Sequence, residues 1–120
     1  MTKINTFTQE ERLKSAIRIK EVYTSGAQYF TYPFKLYLLK KDVESMHHSV
    51  CISVPKRNFK TASDRNLLKR RSREIYRLHK SMISNTPDKF DMYWVYIGKT
   101  VEPYPVIEKG MTKLLRQYLS

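Results

Sequence analysis

The sequence predicts a compact α+β sandwich formed by a single domain, residues 1–120. The chain has 120 residues, which is enough for one modest core and too short for two. Helical and strand patterns follow one another in the order helix, strand, strand, helix, strand, helix. Most of the excess positive charge lies in one predicted helix and the connection before it. Together these observations predict a mildly charged scaffold that carries one strongly basic segment.

The first element is a helix predicted from Thr8 to Thr24, where apolar residues recur at helical spacing. Thr8 can cap its N-terminus, and Glu11, three residues later, completes a capping box. Gly26 follows the predicted end, as is common after helices. The apolar positions of this helix are Leu13, Ile17, Ile19, Val22 and Tyr23.

Short runs of apolar and β-branched residues predict the strands. The clearest run is Phe34 to Lys40, and a stretch just before it, around Gln28 to Thr31, also fits a strand. Ser49 to Val54 is rich in β-branched residues and is ended by Pro55. Asp91 to Gly98 is the last predicted strand.

A central helix is predicted from Asp64 to Met82, with Ser63 or Asp64 as its N-cap. At about 100° per residue, its residues separate into two sides, with Arg71 near the border, where its stem can lie along apolar surface. The apolar side contains Leu67, Leu68, Ser72, Ile75, Leu78 and Met82, and the cationic side contains Arg65, Asn66, Lys69, Arg70, Arg73, Arg77 and Lys80.

The final helix is predicted from Val106 to Leu119. It is amphipathic, and its apolar side comprises Ile107, Met111, Leu114, Leu115 and Tyr118.

The distribution of charge points to a polyanionic partner. The net charge is +12, and residues 56–80 contain ten basic and two acidic residues. Packing of the apolar side on the sheet leaves the cationic side outward, where like charges repel one another. Ordinary solvated helices alternate the sign of their charges, and arginine suits phosphate. These features favour nucleic acid over an anionic membrane surface or a merely basic protein.

Other classes of protein are disfavoured by what the sequence lacks. It has no apolar run of transmembrane length and no N-terminal secretory pattern. Cys51 is the one cysteine, which excludes an internal disulfide and makes a cytoplasmic location the expectation. The sequence has no nucleophile–base pattern, Walker loop or zinc spacing, and its carboxylates are scattered. We therefore expect no protein-borne catalytic residue, no bound metal and no small-molecule substrate.

The central helix resembles the signature of the bacterial ribonuclease P protein subunit, R-N-R-x-K-R-x-x-R. Five of its six specified positions match, and Leu67 replaces the third arginine. The matching residues are Arg65, Asn66, Lys69, Arg70 and Arg73. The flanking segments are similar too, in order along the whole chain: residues 11–14 and 22–26, residues 34–37, and residues 52–57. The family's glycine before the helix is missing from residues 56–64.

The resemblance implies a fold, a partner and an activity. It implies a two-layer α/β sandwich with a small mixed sheet and a left-handed βαβ crossover, an exception to the usual handedness. The basic helix would face the catalytic RNA, and a cleft on the sheet would hold the 5′ leader of precursor tRNA. Hydrolysis would be performed by the RNA with magnesium ions, held mainly by the RNA and the substrate. Candidate RNA contacts are Arg65, Asn66, Lys69, Arg70, Arg73, Lys56, Arg57 and Arg77.

The residues themselves suggest how such a cleft is built. Single-stranded RNA binds where aromatic rings lie beside cations. Strand alternation puts Lys35 and Tyr37 on the face opposite Phe34, Leu36 and Leu38. Ile19 and Tyr23 share a side of the first helix and can form the opposite wall; in the resemblance, Ile19 stands where an aromatic residue is common. The candidate leader contacts are therefore Ile19, Tyr23, Lys35 and Tyr37. The alternative is that the two tyrosines are half-buried core residues with solvated hydroxyls.

Two other functions remain open from the sequence. Another small RNA-binding protein, for example a ribosome-associated one, would share the size and basicity but not the colinear flanks. A helix-turn-helix DNA-binding protein would use the basic helix in the major groove, and it requires a short helix before it. A membrane-surface helix is disfavoured because a sheet is available to cover its apolar side.

Overall fold

The computed structural model describes residues 12–41 and 47–119, which form a four-stranded sheet and three α-helices. In chain order the elements are α1 (Ala16–Ser25), β1 (Ala27–Thr31), β2 (Phe34–Lys40), β3 (Ser49–Ser53), α2 (Ala62–His79), β4 (Phe90–Tyr96) and α3 (Tyr104–Leu119), with a 3₁₀ turn at Lys80–Ile83 after α2. None of these helices is long and apolar enough to cross a bilayer.

The strands are arranged in the order β1-β2-β4-β3. β1 and β2 form an antiparallel hairpin whose turn contains the cis peptide bond Tyr32–Pro33. β2 and β4 are antiparallel, whereas β3 and β4 are parallel. Parallel neighbours require a crossover connection, and α2 lies in that connection. The predicted small mixed sheet is confirmed, and the left-handed sense of the crossover stays a prediction from the resemblance.

The core lies between one face of the sheet and the helices α2 and α3. The strand residues that face it are buried: Phe34, Leu36, Leu38, Val50, Ile52, Met92, Trp94 and Tyr96. The helices contribute Leu68, Ile75, Tyr76, Ile107, Met111, Leu114 and Leu115. This arrangement confirms the predicted α+β sandwich, whose two main layers are the sheet and the helix pair α2 and α3. α1 packs against β2 and β4 from the other face of the sheet, through the ring contacts of Tyr23 with Tyr37 and Tyr93.

The predicted start of the first helix is only partly open to comparison. Thr8 and Glu11 lie outside the described residues, so the capping box stays a prediction. Residues 12–15, also predicted as helix, are extended, because the Leu13 amide donates to the Val50 carbonyl at 2.9 Å beside β3. The helix begins after Ser15, whose hydroxyl accepts from the Arg18 amide at 3.3 Å. Its predicted end before Gly26 is confirmed.

The other elements agree with their predicted positions to within a few residues. β1 is present, and β2 has the bounds that the sequence predicts. α2 begins earlier than predicted, with Thr61 at its N-cap position rather than Ser63 or Asp64, and the Thr61 side chain makes no capping bond. The α-helical part ends at His79, so Met82 lies in the 3₁₀ turn. A strand, and not a short helix, precedes α2, which contradicts the helix-turn-helix alternative.

The buried side of α2 is rotated slightly from the one predicted. It is centred near Ser72, which is buried and donates to the Leu68 carbonyl. Leu78, predicted on the apolar side, lies about 120° from Ser72 around the helix and is 43% exposed. Tyr76, which the prediction left out, lies about 40° from Ser72 and is buried in the core cluster.

The connection between β3 and α2 needs no glycine. Asn58 donates its amide to the Pro55 carbonyl at 3.3 Å, closing a turn over residues 55–58. Within the two described ranges, no residue has a positive φ. A turn built from ordinary backbone conformations accepts side chains at each position, which explains how this chain does without the glycine that the resemblance leads one to expect there.

Candidate nucleic-acid interface

The cationic side of α2 lies at the surface, as the sequence predicts. Burial of Leu68, Ser72 and Ile75 orients the helix, and Asn66, Arg70 and Arg73 are exposed on its outer side. Lys69, Arg77 and Lys80 are half-buried, and Lys69 lies about 60° from Ser72 around the helix, nearer the buried side than predicted. Lys56 and Arg57 are exposed in the turn before the helix. The predicted RNA contacts from residues 56 to 77 therefore belong to one helix and the connection that leads into it.

Arg65 differs from the other members of this set because part of its guanidinium is used inside the protein. Its Nη1 donates to the Phe59 carbonyl at 2.6 Å and to the Lys60 carbonyl at 3.1 Å. The side chain therefore holds the connection against the first turn of α2. We expect Arg65 to contribute to the shape of the surface as well as to its charge.

Arg77 is partly neutralised by its neighbour. It donates to the Glu74 carboxylate from Nη2 at 2.5 Å and from Nε at 3.1 Å. Arg77 thereby holds the pKa of Glu74 below its ordinary value. Arg71 also has an internal partner, the Glu102 carbonyl at 2.9 Å, in agreement with its predicted place at the border of the apolar side. Arg70 and Arg73 are thus the exposed guanidinium groups best placed for phosphate.

A shallow groove of about 490 Å³ runs beside these arginines. Its apolar lining comes from Leu67 and from Tyr104 at the start of α3, and its cations come from α2 and from Arg12. Leu67 is the residue that replaces the third arginine of the signature. In this chain that position offers apolar surface within a ring of guanidinium groups, and sequence reasoning about α2 did not identify the contribution of α3.

The face of the sheet opposite the core carries the second predicted site. Lys35 and Tyr37 of β2 point to this face, whereas Phe34, Leu36 and Leu38 are in the core, as alternation predicts. Tyr23 of α1 lies over this face, with its ring centroid 5.0 Å from that of Tyr37. The structure therefore brings together three of the four predicted leader contacts, Tyr23, Lys35 and Tyr37.

The two tyrosines differ sharply in accessibility. Tyr37 is 5% exposed, whereas Tyr23 is 53% exposed. Tyr93 of β4, which sequence reasoning missed, completes the cluster, with ring centroids 5.8 Å from Tyr37 and 6.4 Å from Tyr23. Strand register could have identified Tyr93, because it pairs directly with Tyr37. Tyr37 therefore supports the Tyr23 ring from below, and the accessible ring surface of the pair belongs to Tyr23.

Lys35 adds positive charge at the border of this aromatic cluster. Its Nζ lies 5.4 Å from the centroid of the Tyr37 ring, within the range of a cation–π contact. Ile19 is half-buried on α1, one helical turn before Tyr23. Its predicted place at the edge of the cleft follows from this helical spacing and stays a prediction.

An ion-pair network fixes α1 on the sheet. The Nε of Arg18 donates to Asp91 at 2.5 Å, and its Nη2 donates to the Lys40 carbonyl at 3.1 Å. The Lys41 Nζ lies 3.8 Å from the other Asp91 oxygen. The Asp91 carboxylate is almost fully buried, and its hydrogen bond raises the pKa of Arg18. Neither Arg18 nor Asp91 was identified from the sequence, because no local pattern indicates that two residues 73 positions apart form an ion pair.

The helix surface and the sheet face meet at β3. Burial raises the pKa of the Cys51 thiol, while the charges of Lys69 and Arg73 act in the opposite direction. Cys51 pairs in register with Tyr93, and α2 packs beside β3, so Lys69 and Arg73 lie within electrostatic reach of a residue on the face of the tyrosine cluster. In the described part of the chain, no group of three or more His, Cys, Asp or Glu side chains could hold a metal ion.

Comparisons with known proteins cover the elements that carry both surfaces. The Ribonuclease P family profile matches residues 7–119. Ribonuclease P protein components from two strains of Porphyromonas gingivalis are each 29% identical over 122 residues, covering 96% of this chain and 89% of theirs. The match therefore spans α1, the sheet, α2 and α3 together.

Solved structures agree on the fold. The ribonuclease P protein of Staphylococcus aureus superposes with a TM-score of 0.77 at 23% identity, covering 92% of this chain and 98% of that one. That of Thermotoga maritima gives a TM-score of 0.74 at 23% identity, covering 92% and 99%. At this level of identity the likeness concerns the fold alone.

Proposed function

The chain belongs to the ribonuclease P protein family, and from this premise we propose that it works as the protein subunit of a ribonuclease P particle. In that role it binds the catalytic RNA and the 5′ leader of precursor tRNA, and it promotes endonucleolytic removal of the leader during tRNA 5′ maturation. The names of its Porphyromonas gingivalis relatives support the same role. We place this activity in the cytoplasm, since Cys51 is a free thiol.

The RNA subunit performs the hydrolysis in this proposal, with magnesium ions. The described residues contribute cations and aromatic rings, which bind phosphates and bases rather than cleave bonds between them. They offer no cluster of carboxylates suited to magnesium, so we assign the ion to the RNA subunit and the substrate. The protein itself is expected to be inactive without the RNA.

The two surfaces divide the binding between them. We assign the exposed side of α2, above all Arg70 and Arg73, to phosphates of the catalytic RNA, because its regularly spaced guanidinium groups suit a backbone more than a particular base. We assign the tyrosine face to the leader, since bases of a single strand are free to stack. The observation that carries the proposal is that the cationic helix α2 packs beside β3, at one edge of a sheet whose other face carries an exposed aromatic ring and a lysine.

Burial refines the roles of the two tyrosines. Tyr23 is the ring on which a leader base can stack, because it is exposed. Tyr37 lies beneath it and positions it through their ring contact. Lys35, beside Tyr37, supplies a cation for the leader backbone.

The experiment compares the affinity of the reconstituted particle for precursor and mature tRNA, which differ by the leader. A stacked base contributes roughly 1–3 kcal/mol, so Tyr23→Ala should weaken precursor binding about fivefold or more and leave mature tRNA binding unchanged. Tyr37→Ala should also lower the Tm of the protein, since it leaves a cavity in the buried part of the cluster.

A matched control is available on the same helix. Ile17 is 84% exposed and lies on the side of α1 away from the sheet, so Ile17→Ala should change neither affinity. Equal losses for precursor and mature tRNA in the Tyr23→Ala particle, with an unchanged Tm, would contradict the assignment of this face to the leader.

A further inference from the structure

The tyrosine cluster occupies only part of the sheet face that it shares. Two residues further along the strands, a second row of side chains crosses all four strands. The registers Phe30↔Lys35, Lys35↔Val95 and Val95↔Ser53 define it. Since side chains directly opposite one another in a sheet point to the same face, this row lies on the face of Tyr37 and Tyr93.

Phe30, at the outer end of this row, is 60% exposed. Its neighbour Tyr29 points to the other face, where its ring stacks on Tyr118 of α3 with centroids 3.8 Å apart. Alternation along β1 therefore commits Tyr29 to the helical layer and Phe30 to the face that carries Tyr37. Phe30 takes no part in the core cluster that the helices cover.

The chemistry around Phe30 is that of the tyrosine cluster on a smaller scale. Lys35 stands directly opposite Phe30 in the register, so their Cβ atoms are roughly 5 Å apart. Lys35 also approaches Tyr37, so one lysine lies between two aromatic groups. An exposed ring beside a cation suits a base with its phosphate.

The position of β1 in the sheet gives this pair a direction. The strand order is β1-β2-β4-β3, with α2 packed beside β3. Phe30 is thus at the edge of the sheet farthest from the basic helix, and the Tyr23 cluster is between them.

We propose that Phe30 is a second stacking platform for the single-stranded leader, which accepts a base farther from the cleavage site than the one held at Tyr23. This inference rests on the proposed function, in which α2 faces the catalytic RNA. Phe30, with Lys35, then determines how long a leader must be for the protein to bind it fully.

The experiment uses the protein reconstituted with the catalytic RNA and precursor tRNAs whose leaders are lengthened one nucleotide at a time. With the wild-type protein, affinity should rise in two steps as the leader first reaches Tyr23 and then Phe30. Phe30→Ala should remove the second step, a loss of about fivefold or more for long leaders only. Tyr23→Ala should remove the first. Phe30→Tyr should keep both steps, whereas Phe30→Leu, which keeps apolar surface without a ring, should behave like Phe30→Ala.

The outcomes separate this inference from the proposed function. If Phe30→Ala binds every leader as the wild type does while Tyr23→Ala fails on leaders that reach it, the second platform is refuted and the proposed function stands. If leader length has no effect on the wild-type particle, the proposed function itself fails. Concentration-dependent dimerisation of the wild-type protein that Phe30→Ala abolishes, measured by sedimentation without RNA, would assign Phe30 to contact between two copies and overturn the inference.

Discussion

Tyr96 shows how the packing of one residue changes its acid–base behaviour. The side chain is fully buried, and its hydroxyl donates to the Thr100 carbonyl at 2.7 Å and accepts from the Glu102 amide at 3.1 Å. Burial raises the pKa of Tyr96 to about 12, and the Glu102 charge acts in the same direction. These bonds fold the connection between β4 and α3 back onto the sheet.

This pKa predicts a loss of stability at alkaline pH. The folded protein keeps the Tyr96 proton at a pH where the unfolded chain, with a tyrosine pKa near 10, has lost it. Stability should fall between these values, by roughly 2–3 kcal/mol in all. Tyr96→Phe should lower stability at neutral pH through its lost hydrogen bonds but flatten this alkaline decline. Urea unfolding at a series of pH values measures both, and identical slopes for the two proteins would refute the shift.

At the residue scale, the sequence predicts which face a side chain takes better than how deeply it is buried. Alternation in β2 correctly separated Lys35 and Tyr37 from the core. It did not reveal that Tyr37 is almost fully covered, because the covering ring of Tyr23 comes from α1, on a different element. The bond of Arg65 to the Phe59 carbonyl was also beyond prediction, since it depends on the path of a connection with no regular pattern.

At the element scale, the exposed arginines of α2 should determine how binding to the catalytic RNA depends on salt concentration. Each phosphate contact releases counterions, so log K falls with log salt in proportion to the number of contacts. Replacing Arg70 and Arg73 with Ala should weaken binding to the catalytic RNA and reduce this slope by about 1–2. The Tm should barely change, because both side chains are exposed.

A control for this prediction removes the same charge elsewhere. Lys109 and Lys113 are exposed on α3. Their double replacement with Ala should leave the slope closer to that of the wild type. Equal slopes for the wild type and the Arg70, Arg73 variant would show that α2 does not hold the RNA.

α3 makes a second prediction at this scale, at Gly110. An added Cβ there would lie 2.5 Å from the Tyr32 carbonyl oxygen and 2.8 Å from the Pro33 Cδ, in the turn of the β1–β2 hairpin. Gly110→Ala should therefore destabilise the protein by about 1–3 kcal/mol, although alanine favours helix by about 1 kcal/mol. Thermal unfolding should show a lower Tm for Gly110→Ala and little change for the neighbouring exposed Lys109→Ala. A rise in Tm for Gly110→Ala would contradict this prediction, because it would show that the hairpin turn can move away from the added Cβ without a loss of stability.

Elements were predictable where their patterns are regular and local. The bounds of β2 follow from alternation, and the amphipathic α3 follows from helical spacing, although it begins at Tyr104 rather than at the predicted Val106. The start of α1 could not be predicted in this way. Leu13 continues the apolar spacing of a helix, but its amide donates to the Val50 carbonyl of β3. The buried position of His48 could not be predicted either, because its contacts join segments that are distant in the sequence. Its Nδ1 accepts from the Phe90 amide at 2.9 Å, and its Nε2 lies 3.2 Å from the Ile83 carbonyl.

At the scale of the whole molecule, one small domain carries the two surfaces that we propose bind RNA, and they approach each other at β3. The sequence predicted the composition of both, but only the fold brings α2, with Lys69 and Arg73, beside the strand β3 that pairs with Tyr93. In the proposed function, this adjacency lets one protein hold the catalytic RNA and a substrate strand at once. The proposed function assigns binding to the protein and leaves bond cleavage to its RNA partner.

Reconstitution tests this division most directly. The purified protein, a bacterial ribonuclease P RNA and precursor tRNA are combined at a magnesium concentration too low for the RNA to act alone, and leader release is followed on a gel. We expect site-specific removal of the leader with both components and none with either alone. Failure of the protein to restore cleavage, or removal of the leader by the protein without RNA, would contradict it.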